Sequence, residues 1–309
     1  MHDHHHHTAS ERIGLAFALN FVFTIIEFIG GYLTNSTAIM ADAVHDLGDC
    51  LAIGSAWVLN KIGNKEASQL YSYGYRRFSL LGALINGVVL VLGAIWILSE
   101  AIPRLANPEM PDATGMLGLA ILGVTVNGYA AYQLSHGKTL NERMLNWHLL
   151  EDVLGWVAIL VLSLVLMVVE IPILDPLLSI GFTLFILFNV VKTLLETLRL
   201  FLQATPDQAL RSQIQADLQA IDHVSDIHHL HLWSLDGEHH VLTAHLLLNQ
   251  DYSQPELVVF KANIAAAMAK YELSHTTIEL EFPKENCRDL PGRFSPNLNH
   301  EHPNHDHHH

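Results

Sequence analysis

The sequence predicts a bundle of six membrane-spanning helices followed by a small α/β domain of ferredoxin-like type. Three observations carry that prediction. The 309 residues are half hydrophobic but only 15% charged, where a soluble chain carries about a quarter. The apolar residues gather in long runs before about residue 202. Beyond that point the chain alternates and turns like an ordinary soluble domain.

Six segments, near 13–33, 38–60, 79–102, 113–135, 145–169 and 173–201, are long and apolar enough to cross the bilayer as helices. Helices satisfy their own backbone polar groups in lipid, so an all-helical bundle follows. The links 34–37 and 170–172 are very short, which makes spans one and two, and five and six, antiparallel neighbours. Lys61, Lys65, Arg76 and Arg77 lie between spans two and three, and Lys138 and Arg143 between four and five. The opposite side carries only Arg104. This asymmetry puts both termini in the cytoplasm.

In the soluble part, Thr205-Pro206-Asp207 is a helix-start signal with Pro at the first position, opening a helix to about Ile221. Residues 226–235 and 239–248 read as strands joined through the turn pair Asp236-Gly237. Residues 254–271 read as a helix with Pro255 near its start, and 276–282 alternate as a half-buried strand. The order helix, strand, strand, helix, strand is that of a small ferredoxin-like sandwich. The chain thus divides into a His-rich tail (1–12), a membrane domain (13–204), a cytoplasmic domain (205–285) and a second His-rich tail (286–309).

A net charge of −15 argues against nucleic acid as a partner, since phosphate binding needs a basic face. Cys50 and Cys287 give neither a disulfide framework nor a CxxC metal motif, and the first residues do not resemble a cleavable signal peptide. Histidine is the unusual count. Of 22, eleven sit in the terminal tracts, eight in the soluble domain and one, His136, at a span end. The tracts are interleaved with Asp, Glu, Pro or Asn and read as native metal-capturing tails rather than an uninterrupted tag. Only His45 and His148 lie inside apolar segments.

Those two carry the central pattern. Span two contains His45 and Asp49; span five contains His148 and Asp152. Residues four apart share a helix face, so each helix offers one imidazole and one carboxylate in one direction. Two such helices supply the N₂O₂ set that suits tetrahedral Zn²⁺. A carboxylate at mid-membrane costs at least about 2.5–3.5 kcal/mol and marks a substrate path or proton relay. Two aspartates and two neutral imidazoles balance the charge of Zn²⁺, whereas an emptied site is neutralised by taking up protons. Metal and protons then compete for the same atoms, which predicts exchange of one for the other. Asp42 lies one turn before His45 and is a candidate to orient it. Asp46, about 100° round the helix, is expected to meet a neighbouring helix or the water path, and Glu151 either of these roles. Asn20, Glu27, Asn86 and Asn127 read as bundle-facing polar contacts or hydration points.

The stretches Asn35–Asp49, Tyr73-Gly-Tyr75-Arg76-Arg77, Ala83–Gly87, His148-x-x-x-Asp152 and Asp175-Pro176 resemble the zinc-transporting branch of the cation diffusion facilitator family. The resemblance implies a homodimer in the inner membrane of a bacterial cell, zinc/proton antiport out of the cytoplasm, and His45, Asp49, His148 and Asp152 as transport ligands. Members with Asp in place of His45 resemble carriers that accept cadmium or iron, so the His form implies zinc selectivity; cobalt and nickel stay open. One bacterial branch binds metal between spans two and three, but here that loop offers Tyr71, Tyr73 and Tyr75 and no histidine, so no metal is expected there. In the soluble domain the resemblance points to His228, His245, Glu279 and Glu281 as a cytoplasmic metal site, and more loosely to His275 and Cys287. His229, His231, His239 and His240 read equally well as exposed strand histidines.

Three other readings compete. A membrane-anchored zinc sensor would bind metal without moving it. A metalloenzyme needs an open coordination position and a signature such as HExxH, which is absent. A channel would be throttled by four protein ligands on one ion. The pattern favours a carrier.

Overall fold

The computed structural model describes residues 4–63, 65, 67–135, 140–283, 285 and 287, with side chains left out at 4–16, 56–57, 60–61, 134–135 and 140–147. His136, Lys138 and the C-terminal tract from 288 lie outside the described residues. The chain forms two compact units that divide at Leu198/Arg199.

The first unit holds α1 (His4–Thr34), α2 (Thr37–Gly63), α3 (Phe78–Ala106), α4 (Ala113–Ser135), α5 (Leu140–Val168) and α6 (Leu174–Phe201). Five of them contain windows long and apolar enough to cross a membrane. The sixth, α2, has the length at 27 residues but carries Asp42, Asp46 and Asp49, so it falls short in apolarity. The least membrane-like helix is the one that bears half of the intramembrane pattern. Backbone helix α1 begins at His4, inside the N-terminal tract, because no Pro or Gly interrupts the run from His4 to Arg12.

A core of buried Phe23, Ile39, Met116, Trp156, Ile159, Leu162 and Leu166 joins α1, α2, α4 and α5. Phe23 meets Trp156 edge-on at 5.3 Å between ring centres. Gly123 of α4 passes so close that an added Cβ would lie 2.2 Å from the Trp156 indole.

The α1–α2 turn is bolted to α6. Asp175, in the first turn of α6, accepts from Ser36 Oγ at 2.5 Å, Thr37 N at 2.7 Å, Thr37 Oγ1 at 2.8 Å and Ala38 N at 3.3 Å. Its carboxylate thus closes orphan amides at the start of α2, where the helix dipole favours negative charge. Ser36 Oγ also takes the Ile39 amide at 3.2 Å, as an N-cap does. Arg104 Nη1 donates to the Asn35 carbonyl at 2.9 Å, which places that lone basic residue at the same end of the bundle. In the loop between α2 and α3, Tyr71 packs at a tilt against Tyr75 at 4.8 Å and meets Phe78 edge-on at 5.6 Å.

The second unit runs α7 (Gln208–Gln219), β1 (Val224–Ser234), β2 (His240–Leu248), α8 (Gln254–Met268), a 3₁₀ turn (Ala269–Tyr271) and β3 (His275–Glu281). The sheet order is β1-β2-β3, antiparallel and then parallel. Pro206 lies just outside α7 rather than in its first position: Asp207 is the N-cap and accepts from Ala209 N at 2.7 Å. Ser253 and Glu256 close a capping box on α8. Leu242, Ala244, Leu246 and Leu248 of β2 point to a core with Ile214, Leu218, Phe260, Ile264 and Met268 of the two helices. By strand alternation His245, between Ala244 and Leu246, faces the side of the sheet away from the two helices.

Candidate metal centre

The intramembrane pattern closes into one cluster. His45, Asp49, His148 and Asp152 each bring a donor atom within 4.8 Å of the others. His148 Nε2 lies 3.0 Å from Asp49 Oδ2 and 3.8 Å from Asp152 Oδ2. His45 Nε2 lies 3.6 Å from Asp49 Oδ2 and 3.9 Å from Asp152 Oδ1. The two rings meet edge-on at 5.7 Å. Donors about 2.0–2.1 Å from a tetrahedral Zn²⁺ stand roughly 3.3 Å apart, so sub-ångström adjustments would seat the ion. Side-chain exposures are 20% for His45 and Asp49, 27% for His148 and 2% for Asp152. The cluster is thus open on one side and floored by a buried carboxylate.

The neighbouring acids divide. Asp42 makes no bond to His45; it turns to α5, where Gly155 leaves room for it at 3.5 Å from an added Cβ. Asp46 is buried and faces α1, where Glu27 bears on it. Glu151 is exposed on α5 and is not brought into the cluster. Glu27, weighed from sequence only as a polar contact or hydration point, and Asp175, noticed only as part of a motif, both prove fully buried.

A second cluster lies on the face of the sheet away from the helices: His228, His245, Glu281 and Cys287. His228 Nε2 is 3.0 Å from Glu281 Oε2, His245 Nδ1 is 2.8 Å from Glu281 Oε1, and Cys287 Sγ is 3.6 Å from His245 Nδ1. Burial pushes the Glu281 carboxyl up, but hydrogen bonds with His245, Cys287 and His228 outweigh it and hold it below the usual range. His245 Nε2 looks the other way, to Glu279 Oε2 at 3.7 Å. His275, the remaining expected ligand, is not part of this cluster. It pairs with Val241 at the opposite end of β3, six residues from Glu281, or roughly 20 Å along a strand. Cys287, the other loose sequence match, stands in the cluster instead.

A bulge builds this cluster. The pairs His228↔His245 and His231↔Thr243 enclose one extra residue on β1. Leu230 and Leu232 point into the core, so in a regular strand His228 would share their face. The extra residue reverses that parity and sends His228 to the face away from the helices, beside His245. His229, at φ +48°, takes up the irregularity, and its ring stands 5.0 Å from that of His245.

Residues 13–202 match the profile of the cation efflux transmembrane domain, and residues 206–282 that of the cation efflux protein cytoplasmic domain. The chain is 30% identical over 292 residues to a cadmium, cobalt and zinc/H(+)-K(+) antiporter of Bacillus subtilis, covering 92% of this chain and 93% of that one. It is 32% identical over 295 residues to the zinc transporter ZitB of Pectobacterium atrosepticum, covering 93% and 90%. Against the metal cation efflux system protein CzcD of Cupriavidus metallidurans it is 30% identical over 297 residues, covering 95% and 94%. With both units matched and nearly the whole chain aligned to such carriers, this protein belongs to the cation efflux, or cation diffusion facilitator, family and is an integral-membrane transporter, not an enzyme.

Proposed function

We propose that the chain exports Zn²⁺ from the cytoplasm in exchange for protons, through the site formed by His45, Asp49, His148 and Asp152. One observation carries this reading: two imidazoles and two carboxylates from α2 and α5 converge at 3.0–3.9 Å inside a helical bundle. Two aspartates cancel the charge of the ion, which makes the loaded site cheap to bury. A proton taken up as the ion leaves would sit between His148 Nε2 and Asp49 Oδ2, which stand 3.0 Å apart. Both atoms must face the ion when it loads, so that proton has to leave. Alternating exposure of the site to the two sides of the membrane then couples zinc and proton fluxes. The names of the relatives, which include a zinc transporter and a cadmium, cobalt and zinc/H(+)-K(+) antiporter, support the same reading.

The protein works as a homodimer in the bacterial inner membrane, with both termini in the cytoplasm. This rests on the cytoplasmic-domain match and the Lys/Arg asymmetry of the loops. The His228–His245–Glu281–Cys287 cluster binds cytoplasmic zinc and regulates the carrier. Zinc uptake into proteoliposomes under an imposed proton gradient tests the main reading, with Asp49→Ala as control. Flux that survives Asp49→Ala, or that persists undiminished once the gradient is collapsed, refutes it.

A further inference from the structure

Cys287 changes the chemistry of the cytoplasmic cluster. It brings a sulfur into a set otherwise made of His228, His245 and Glu281, and its Sγ lies 3.6 Å from His245 Nδ1. A sulfur about 2.3 Å and a nitrogen about 2.0–2.1 Å from a tetrahedral Zn²⁺ stand about 3.6 Å apart, so this pair is already spaced for the ion. The carboxylate contacts are His228 Nε2 to Glu281 Oε2 at 3.0 Å and His245 Nδ1 to Glu281 Oε1 at 2.8 Å. They need to open by only about half an ångström. Two neutral imidazoles, Glu281 and a thiolate cancel the charge of Zn²⁺, as the intramembrane set does, but through a softer donor.

Sulfur is also the one donor of the four that a mild oxidant converts. A coordinating thiol is deprotonated outright, and the thiolate is the nucleophilic form. Cys287 is partly exposed, whereas Cys50 is buried, so a small peroxide reaches the first more readily. The unit that begins at Arg199 contains no other cysteine. Oxidation of Cys287 therefore cannot run on to a disulfide within one domain.

We infer that Cys287 is the thiolate ligand of the cytoplasmic site and its point of oxidation, so that a peroxide releases the regulatory zinc. The thiolate sulfur attacks one oxygen of hydrogen peroxide. An S–O bond forms as the O–O bond breaks, and hydroxide leaves. The sulfur gives up two electrons, the peroxide takes them, and the product is a sulfenic acid. Zinc then loses one of its two negative ligands and is left with three donors. A low-molecular-weight thiol reverses the step: it displaces water from the sulfenic sulfur, and a second thiol resolves the mixed disulfide. The inference rests on the reading of this cluster as a cytoplasmic zinc site.

The test uses the full-length protein in detergent with Cys50→Ser, which leaves Cys287 as the only thiol. Titration with Cd²⁺ should raise the ultraviolet charge-transfer band of a cadmium–thiolate bond, and His245→Ala should abolish it. Hydrogen peroxide should remove that band and release zinc from the zinc-loaded protein to a chromogenic chelator. The affinity of the site should fall at least about tenfold, the lower end of what losing even a supporting partner costs a metal site. Dithiothreitol should restore the band. Cys287→His, with an imidazole in place of the thiolate, should keep its zinc through the same peroxide treatment. Absence of the band before oxidation, a band untouched by His245→Ala, zinc retained after oxidation, or peroxide-dependent release that persists in Cys287→His each overturns the inference. A bound-zinc count unchanged by His245→Ala would instead bring down the cytoplasmic-site reading itself.

Discussion

Removing the Asp175 carboxylate should loosen the first turn of α2 and lower the stability of the whole membrane unit. Four donors converge on it: two backbone amides, Thr37 N and Ala38 N, and the hydroxyls of Ser36 and Thr37. In Asp175→Ala the hydroxyls can rotate to other acceptors, but the amides at the first turn of α2 cannot. Each stranded buried amide costs about 1–3 kcal/mol, and losing the anion from the helix start adds about 0.3–1 kcal/mol. The sum is about 2–7 kcal/mol, or roughly 5–28 °C in unfolding midpoint for a unit of this size. Asp175→Asn keeps one acceptor oxygen but turns an amide NH₂ toward a donor, so it should lose about half as much. Heating the detergent-solubilised protein and following the folded fraction by size-exclusion chromatography measures the midpoint. A midpoint within about 2 °C of the parent would show that the clamp is not holding α2, and refute the reasoning.

Three further outcomes are expected. His45→Asp should raise the cadmium-to-zinc flux ratio by about tenfold, or ~1.4 kcal/mol, because a two-oxygen carboxylate accommodates a larger ion than one imidazole nitrogen; metal-resolved proteoliposome uptake with an unchanged ratio would contradict it. Gly123→Ala should cost about 1–3 kcal/mol, since its Cβ would sit 2.2 Å from the buried Trp156 ring; the same thermal assay reads it. Burial pushes the Asp236 carboxyl up, yet the backbone amides of His239 and Glu238 and the His239 ring hold it below the usual range. A depressed carboxyl contributes in full above its unfolded value of about 4 and loses that contribution as pH falls through the folded one. Hydrogen exchange in the 236–240 turn should therefore separate the parent from Asp236→Asn near neutrality, and the two should converge as pH drops below about 4. A constant difference would refute the assignment.

Much of the fold was legible because its signals are local. The short links at 34–37 and 170–172, the apolar runs and the Asp236-Gly237 turn each act within a few residues. Gly237 indeed takes φ +105°, and Asp236 Oδ1 accepts from Glu238 N and His239 N at 3.0 and 2.8 Å. The four-residue cluster was legible for a related reason: the i, i+4 spacing fixes a common face on each helix, leaving only the meeting of two helices to be supplied. What sequence did not reveal depends on tertiary neighbours. Nothing local says that Asp175 reaches 138 positions back to Thr37, or that Glu27 turns inward to Asp46. The bulge at His229 was equally hidden. Its single extra residue changes which face His228 occupies, and no glycine or proline announces it.

The low apolarity of α2 also bears on how the chain enters the membrane. Three aspartates in its length would cost about 7–10 kcal/mol if the helix had to partition into lipid alone. That is more than its remaining apolar residues can readily offset. With only Asn35 and Ser36 between α1 and α2, the two are short-tethered and can insert as a hairpin, so that Asp46 goes in facing Glu27 rather than acyl chains. The helix with half of the chemistry is then the one least able to insert by itself, and its membrane position is a product of assembly. Under the proposed transport site, biogenesis and transport draw on the same buried carboxylates, so a substitution there can remove the carrier from the membrane before it alters a single transport cycle.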